Sequence, residues 1–247
     1  DLEIKGVVFN EMKGAMSSIS SQLWHGLSKH LYSSSTYKHN SGGNPENIID
    51  LTHDYLVDFH RKHYHPSNAT FFTFGDLNPT EIQEFINKNV LQSFEPSNEI
   101  ISVKNEERIS EPKIVTEFYN PMPEDEHNHH VVLSWLLGES HNPVELLESY
   151  LVSNILLDNS ASPLRKVLEN TDLGKSLSPL TGLEADHKEL VFAAGLEGVD
   201  ADSQLKVEEL ILNCLKNVVS NGISKELIQS SLHQLEIKQR EITGSGM

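Results

Sequence analysis

Cysteine and long apolar runs are scarce in this sequence, and each shortage excludes a class of protein. The single cysteine, Cys214, cannot form an internal disulfide. It falls on the apolar side of a helix predicted around residues 210–218, so we expect a buried structural thiol. No apolar run approaches the roughly 18 residues that a membrane-spanning helix needs. The sequence therefore predicts no such helix and no membrane partner.

Basic residues are also few. Lysine and arginine number 19 against 36 aspartates and glutamates, which gives a formal net charge of -17. A chain with this charge does not neutralise phosphates, so we exclude nucleic acid as a partner. The charge would attract cationic ligands at long range, although an acidic surface can equally serve solubility alone.

Several catalytic motifs are absent as well. The sequence has no Walker loop, no dinucleotide-binding glycine fingerprint, no Gly-x-Ser-x-Gly nucleophile elbow and no Cys-x-x-Cys pair. None of the 13 histidines begins a His-x-x-Glu-His motif. The nearest string, His233-Gln234-Leu235-Glu236-Ile237, ends in isoleucine and fits a solvated helix face. Ser41-Gly42-Gly43 follows no predicted strand, so we interpret it as a turn and not a phosphate loop.

Helical and strand patterns alternate along the chain. One long helix is predicted over residues 4–31, and shorter helices follow the capping residues Asn44, Thr52 and Asn78. The predicted strands are Ala69–Phe74, Lys113–Tyr119, His130–Leu137, Lys175–Leu183 and Glu189–Leu196. Further helices are predicted from near Pro143, from near Pro163, and over Asp202–Val219 and Ser224–Ile242.

A polar stretch and a weak repeat suggest how the chain is organised. Residues 95–112 are polar and charged, with prolines near both ends, so we place a boundary there between residues 1–110 and residues 111–247. A strand, a glycine, a polar turn and a helix follow one another from residue 69 and again from residue 189. We expect an α+β fold of two related halves, with helices packed on a mixed or antiparallel sheet. Because the chain starts at Asp1 without a targeting segment, we also expect a fragment of a longer protein.

Glu11 is the most informative single residue. On a helical wheel of about 100° per residue it lies near the middle of an apolar stripe formed by Ile4, Val7, Val8 and Ala15. A carboxylate in such a stripe must be paired, coordinated to a metal or solvated at a cleft, because burying it alone costs several kcal/mol. Periodicity alone leaves two interpretations open, a salt-bridged glutamate and a metal ligand.

Two groups of histidines are candidate metal ligands. His60, His63 and His65 are close in sequence, but they form no His-x-x-x-His pair on one helical face. His127, His129 and His130 lie in an acidic loop, where adventitious metal binding is the expectation.

The string Gly6-Val7-Val8-Phe9-Asn10-Glu11-Met12-Lys13-Gly14-Ala15-Met16-Ser17 closely resembles the segment that carries the last zinc ligand in one group of peptidases. This group is the presequence-protease (falcilysin-like) branch of the pitrilysin/insulinase family of zinc metallopeptidases. Ser41-Gly42-Gly43-Asn44-Pro45 and the segment from His63 to Gly75 resemble the same branch, in the same order and spacing. The second half resembles the family more diffusely, through Gly195-Leu196-Glu197-Gly198 and the closing helices.

The resemblance implies a fold of the LuxS/pitrilysin type and a zinc endopeptidase that degrades short unfolded peptides in a closed chamber. In that family an inverted His-x-x-Glu-His helix supplies two zinc ligands and the general base, and a downstream glutamate completes the site. Glu11 matches this glutamate. Since the motif itself is absent here, the chain alone is expected to be inactive and to bind no zinc.

The resemblance also implies roles for the two parts of the chain. Residues 1–110 would be the C-terminal part of the catalytic domain, and residues 111–247 at least the start of a second, zinc-free domain. The implied partners are peptides, including cationic ones, and the remaining part of the parent protein. The rival interpretations are a non-catalytic peptide-binding or scaffold domain of the same fold and a stand-alone structural domain. Substrate-binding residues are not predicted, and the compartment stays open between an organelle such as the mitochondrion and the bacterial cytoplasm.

Overall fold

A computed structural model describes residues 4–99, 101–119 and 129–241. Its α-helices are α1 Val7–Ala15, α2 Ile19–Leu31, α3 Pro45–Ile48, α4 His53–His63, α5 Pro79–Asn89, α6 Pro143–Leu157, α7 Pro163–Glu169, α8 Gln204–Asn221 and α9 Lys225–Arg240. Its strands are β1 His130–Glu139, β2 Ser176–Leu177, β3 Gly182–Glu184 and β4 Glu189–Glu197. The α+β class and the antiparallel sheet predicted from the sequence are confirmed. Among the described residues no helix is long and apolar enough to cross a bilayer.

The helices begin where capping side chains accept hydrogen bonds from the first free amides. Such a cap satisfies an amide that has no partner inside the helix and contributes about 1 kcal/mol. Five helices have an oxygen acceptor of this kind together with the expected start: Asn44 for α3, Thr52 for α4, Asn78 for α5, Asn142 for α6 and Ser224 for α9. The helix starts predicted from these local signals are confirmed.

The chain folds as two compact units, which we describe separately. Unit 1 comprises Asp1–Gly14 and Asn40–Lys104, and unit 2 comprises Ala15–His39 and Asn105–Met247. Residues 15–39 thus pack with the second part of the chain. The boundary expected between residues 95 and 112 concerns the domains of a parent protein and stays a prediction.

Unit 1 contains α1, α3, α4 and α5, and none of these helices has a buried residue. The strand predicted at Ala69–Phe74 is wrong, because this segment has no regular secondary structure. A strand requires a neighbouring strand for its backbone hydrogen bonds, and unit 1 offers none among its described residues. The phenylalanines of the segment are exposed, Phe72 by 85% and Phe74 by 91%.

Unit 2 is built around β4. This strand reads almost continuously apolar and eight of its nine residues are buried, as expected for a strand covered on both faces. It pairs antiparallel with β1 along one edge and with β2 and β3 along the other. The core packs on it from α6, α7 and α8, through Leu156, Leu164, Leu168, Phe192, Ala194, Leu196, Val199, Val207, Ile211 and Cys214.

Cys214 occupies the buried position that its apolar helix face predicted. Its side chain is 7% exposed and its Sγ lies 3.5 Å from the carbonyl oxygen of Pro163. Burial raises the pKa of this thiol, so it stays protonated and serves packing.

Three other predictions about local structure are wrong. The helix expected over residues 4–31 breaks after Ala15 at two adjacent serines, which are poor helix formers, and restarts at Ile19. The strand expected over Lys175–Leu183 is split into β2 and β3 by a turn in which the Thr181 amide donates to the Ser178 carbonyl. Lys113–Tyr119 forms no strand, and it is attached instead through Glu117, which contacts Lys29 and His30, and through the ring of Tyr119, which contacts His130.

Gly195 was expected to end its strand but lies inside β4, opposite Val132 of β1. A Cβ atom there would lie 2.2 Å from the carbonyl oxygen of Val131 and 2.9 Å from the Cα of Val132. Glycine is therefore required by the close approach of β1.

We predict that Gly195→Ala lowers the free energy of unfolding by about 1–3 kcal/mol, because backbone atoms of β1 must move to accommodate the methyl group. Urea denaturation followed by circular dichroism measures the loss. Gly26→Ala is the matched control in unit 2, since its added Cβ would meet only Glu117 side-chain atoms at 3.8 Å and 3.9 Å. Equal stability of Gly195→Ala and the native chain would contradict the packing argument.

Candidate functional site

Glu11 lies in the middle of α1 with its side chain exposed. The apolar stripe around it is also exposed, Ile4 by 49%, Val7 by 86% and Val8 by 54%. Of the three environments that the sequence left open for this carboxylate, the structure of this chain presents the solvated one.

The glycine turn at residues 41–43 contacts α1 directly. A Cβ atom on Gly42 would lie 2.3 Å from the Sδ atom of Met12, so the thioether packs where a side chain would otherwise stand. Gly43 has a φ of +92°, a conformation that favours glycine. The turn prediction is confirmed, and the two motif strings meet beside Glu11.

The histidines of α4 do not converge. The ring of His60 stacks on Tyr64 with centroids 4.8 Å apart, and the ring of His63 stacks on Phe59 at 4.2 Å. His65 follows the helix, and its Nδ1 accepts a hydrogen bond from the Ser67 amide at 3.1 Å. Each ring is thus engaged with a different neighbour.

The second group of histidines is only partly visible, because His127 lies outside the described residues. His130 begins β1 with its side chain 2% exposed, and its Nδ1 is 4.0 Å from an oxygen of Glu197. His129 uses its carbonyl oxygen to accept from the Val199 amide. Within residues 4–99, 101–119 and 129–241, no three histidine, cysteine or acidic side chains are placed to hold a metal ion.

His233 lies on an exposed stretch of α9, and Glu236 of the same string forms an ion pair with Arg240 at 2.5 Å. This agrees with a solvated helix face. Taken together, the described side chains do not form a zinc site, and Glu11 supplies at most one ligand of the three that a catalytic zinc takes from protein.

A shallow groove of about 370 Å³ in unit 2 was not predicted from the sequence. It is lined by Ser20, Ser21 and Trp24 of α2 and by residues 179–184, which include all of β3. In the described part of the sheet β3 pairs with β4 alone, so one edge of this short strand is unpaired.

An aromatic cluster next to this groove surrounds His187. Its ring stacks on Tyr37 with centroids 4.3 Å apart and contacts Trp24 and Tyr32 at 5.4 Å and 5.6 Å. The Tyr32 hydroxyl lies 3.3 Å from Nδ1 of His187. Burial lowers the pKa of His187, and burial together with the nearby Glu189 carboxylate raises the pKa of Tyr32. Both groups are therefore neutral near pH 7, and the cluster is a packing element.

A second arrangement missed from the sequence is a buried acidic network. Glu106 and Glu189 are 5% and 3% exposed, and the partners of Glu106 include the three consecutive serines Ser33–Ser35. The run of three small polar residues after a helix was the available signal. Nothing in the spacing indicated that a glutamate some 70 residues later would be its partner.

Comparison with known proteins identifies the family of this chain, which the geometry of one carboxylate does not identify. Residues 50–235 match the family model described as the peptidase M16 inactive domain. The chain belongs to the peptidase M16 family. It is 37% identical over 245 residues to the mitochondrial presequence protease of Xenopus tropicalis and 33% identical over 246 residues to that of Gibberella zeae. The matches cover 97% and 99% of this chain and 24% of each relative.

Solved structures support the M16 fold. A peptidase M16 inactive domain from Pseudomonas fluorescens matches with a TM-score of 0.64 at 17% identity, covering 94% of this chain and 54% of that one. A protease from Helicobacter pylori matches with a TM-score of 0.59 at 18% identity, covering 97% and 58%. The pitrilysin/insulinase resemblance is thereby confirmed. This M16 chain spans about a quarter of the length of the curated relatives that it matches.

We predict that the purified chain contains no stoichiometric zinc, because one carboxylate is too few ligands for a stable site. Elemental analysis after dialysis against a metal-free buffer tests this. A tightly held single zinc ion would contradict the prediction and direct attention to His127, His129 and His130.

Proposed function

We propose that this chain is part of a zinc metalloendopeptidase that degrades short unfolded peptides inside a closed chamber, and that Glu11 is its third zinc ligand. Residues 1–110 would complete the catalytic domain and residues 111–247 would form at least the start of the zinc-free second domain. The observation that carries the proposal is the exposed Glu11 carboxylate on α1, in a motif string whose Met12 packs on the glycine turn.

The geometry around Glu11 suits a ligand more than a structural ion pair. Its carboxylate is exposed on the same helix as apolar residues that are also exposed, so another part of the protein could pack there and use the oxygen atoms. The salt bridges within the described part of unit 1 lie elsewhere, at His53–Asp54, Arg61–Asp58 and Lys62–Glu99. The zinc would be held by Glu11 and two histidines from outside this chain, and would supply Lewis-acid activation of water.

The apolar surface of unit 1 supports the remaining part of the parent protein as a partner. Seven large hydrophobic side chains in the described part of this unit are at least 60% exposed: Val7, Tyr55, Leu56, Tyr64, Phe72, Phe74 and Phe85. An exposed apolar surface of this kind marks an interaction site. Relatives about four times as long as this chain contain ample sequence to cover it.

The net charge of -17 favours cationic peptides among the substrates. Acidic surfaces raise the local concentration of cationic ligands and increase the rate of encounter, and salt weakens both effects. The Km for a cationic peptide should therefore rise with ionic strength, while that for a neutral peptide of the same length should stay nearly constant.

A non-catalytic peptide-binding role is the second candidate, and the groove beside β3 favours it. An extended peptide could add to the unpaired edge of β3 and rest its side chains against Trp24. The two functions are distinguished by the parent sequence, since a His-x-x-Glu-His motif before Asp1 would favour the enzyme. Its absence would favour the binding domain.

We predict that the isolated chain does not cleave peptides, because two zinc ligands and the general base are missing from it. A quenched fluorescent peptide incubated with repurified chain should give no signal above buffer. Cleavage that survives repurification and is abolished by a zinc chelator would contradict this.

We predict that Glu11→Gln in the complete parent lowers zinc affinity and turnover together by about 100-fold or more. Even the loss of an outer hydrogen-bond partner of a metal ligand costs about 10–100-fold, and a direct ligand should matter at least as much. Because the side chain is exposed and the replacement has the same shape, the melting temperature without zinc should not change. Zinc content, peptide turnover and thermal unfolding are measured on the same preparation.

Glu84→Gln is the matched control, since Glu84 is an exposed glutamate on α5 of the same unit. It should leave all three measurements unchanged. Full zinc content and activity in Glu11→Gln would reject Glu11 as a ligand. A loss of melting temperature of the zinc-free protein would instead indicate a structural ion pair.

A further inference from the structure

The segment of residues 105–119 has no regular secondary structure, yet it begins where the chain passes from unit 1 into unit 2. The opposite passage, from unit 2 into unit 1, occurs between His39 and Asn40. Within unit 2, Glu106 of the first connection is hydrogen-bonded to Ser33–Ser35, which lie a few residues before the second connection.

The Glu106 carboxylate is enclosed by hydrogen-bond donors. The backbone amides of Ser33, Ser34 and Ser35 donate to it at 2.8–3.1 Å. The hydroxyl groups of Ser33 and Ser34 donate at 2.6 Å and 3.1 Å. Three successive amides that converge on one anion form a carboxylate-binding nest.

A second attachment fixes the backbone of the same segment. The Glu106 amide donates to an oxygen of the buried Glu189 at 2.7 Å, and the guanidinium of Arg108 contacts the other oxygen at 2.8 Å. Arg108 also donates to the carbonyl oxygen of Leu137 at 2.5 Å. Residues 106–108 are thus attached to the serines that follow α2 through the Glu106 side chain, and to β4 and β1 through polar contacts.

The rest of the segment is held by the side chains of Asn105, Glu117 and Tyr119: Asn105 donates a hydrogen bond to Glu139, and the ring of Tyr119 contacts His130 at 5.9 Å. The Glu117 carboxylate contacts Lys29 at 3.1 Å and also the ring of His30. Ile114 is 79% exposed and Phe118 is 92% exposed. Polar contacts concentrated at a few residues can be lost together, and loops held in this way open at low free energy.

We propose that residues 105–119 form a releasable strap, and that the Glu106 carboxylate in the Ser33–Ser35 nest is the clasp that ties the two connecting segments of unit 2 together. While the clasp is closed, Glu106 and Ser33–Ser35 are held in contact, so the two segments cannot move apart. When it opens, residues 33–35 and 105–119 are released together, while Tyr37 stays packed on His187 and the core around β4 stays folded.

The chemistry of the clasp determines how it responds to pH. Burial alone would raise the pKa of the Glu106 carboxyl, but the hydrogen bonds from Ser33, Ser34 and Ser35 outweigh burial and lower the pKa to about 2. The clasp therefore stabilises the chain fully above the ordinary glutamate pKa and loses this contribution as the pH falls toward 2. It stays charged and closed at neutral pH.

We predict that Glu106→Gln opens the strap selectively, because the amide of glutamine is neutral and presents a donor to the donors of the nest. Hydrogen bonds to a charged group contribute about 1.5–3 kcal/mol, so amide exchange at Ser33–Ser35 and residues 105–119 should accelerate about 10–100-fold. Trypsin should cleave faster at Arg108 and Lys113. Amides of α8 should keep their native exchange rates.

Glu107→Gln is the matched control, since Glu107 is the next residue and its side chain is exposed. It should leave exchange and proteolysis unchanged. Unchanged exchange in Glu106→Gln would overturn the proposal. So would a uniform acceleration that includes α8, because Glu106 would then support the whole unit and not a strap.

Chemical rescue tests the nest itself. In Glu106→Ala the carboxylate is removed but the amides and hydroxyls of Ser33–Ser35 remain, so acetate should slow exchange at these amides more than chloride at equal ionic strength. Equal effects of the two anions would overturn the clasp, because the nest would then have no affinity for a carboxylate.

Discussion

The need to satisfy two buried carboxylates organises the polar side of unit 2. Glu106 and Glu189 would each destabilise the fold by several kcal/mol if they were buried without partners. Their partners come from distant parts of the chain, the serines after α2, the guanidinium of Arg108 and the amide of Glu106 itself. Satisfying these groups therefore fixes the end of α2 and the irregular segment before β1 relative to β4. The apolar core holds α6, α7 and α8 against β4.

The sequence predicted the features that depend on near neighbours. Thr52 and Asn78 marked helix starts because a capping oxygen and its amide lie two or three residues apart, and the strand signals at β1 and β4 located the sheet. Features that depend on distant partners were missed. Ala69–Phe74 has strand composition but no described strand to pair with, and Gly195 ended a pattern in the sequence while β1 required it inside a strand. The Glu106 nest had no local signal for the same reason.

The candidate site shows the same division. Glu11 could be selected from its motif string and its place on the helix wheel, but the ligand role proposed for it requires two further ligands that the described side chains do not supply. The two units also differ in what they carry. Unit 1 has the motif strings and helices without buried residues, whereas unit 2 has the hydrophobic core. The proposed zinc ligand and the hydrophobic core thus lie in different units, so we expect Glu11 substitutions to change zinc binding and Gly195 substitutions to change the free energy of unfolding.

The exposed segment Ala69–Phe74 has a consequence for the behaviour of the chain in solution. Five of the segment's six residues have high β-propensity and none is charged or proline, which is the composition of segments that stack into intermolecular sheets. Three phenylalanines at least half exposed leave their surface available to a second molecule at any time. Self-association should therefore increase steeply with concentration, begin at this segment, and be suppressed by whatever covers it in the longer protein. Asp76, just beyond the segment, is the nearest charge that opposes such stacking.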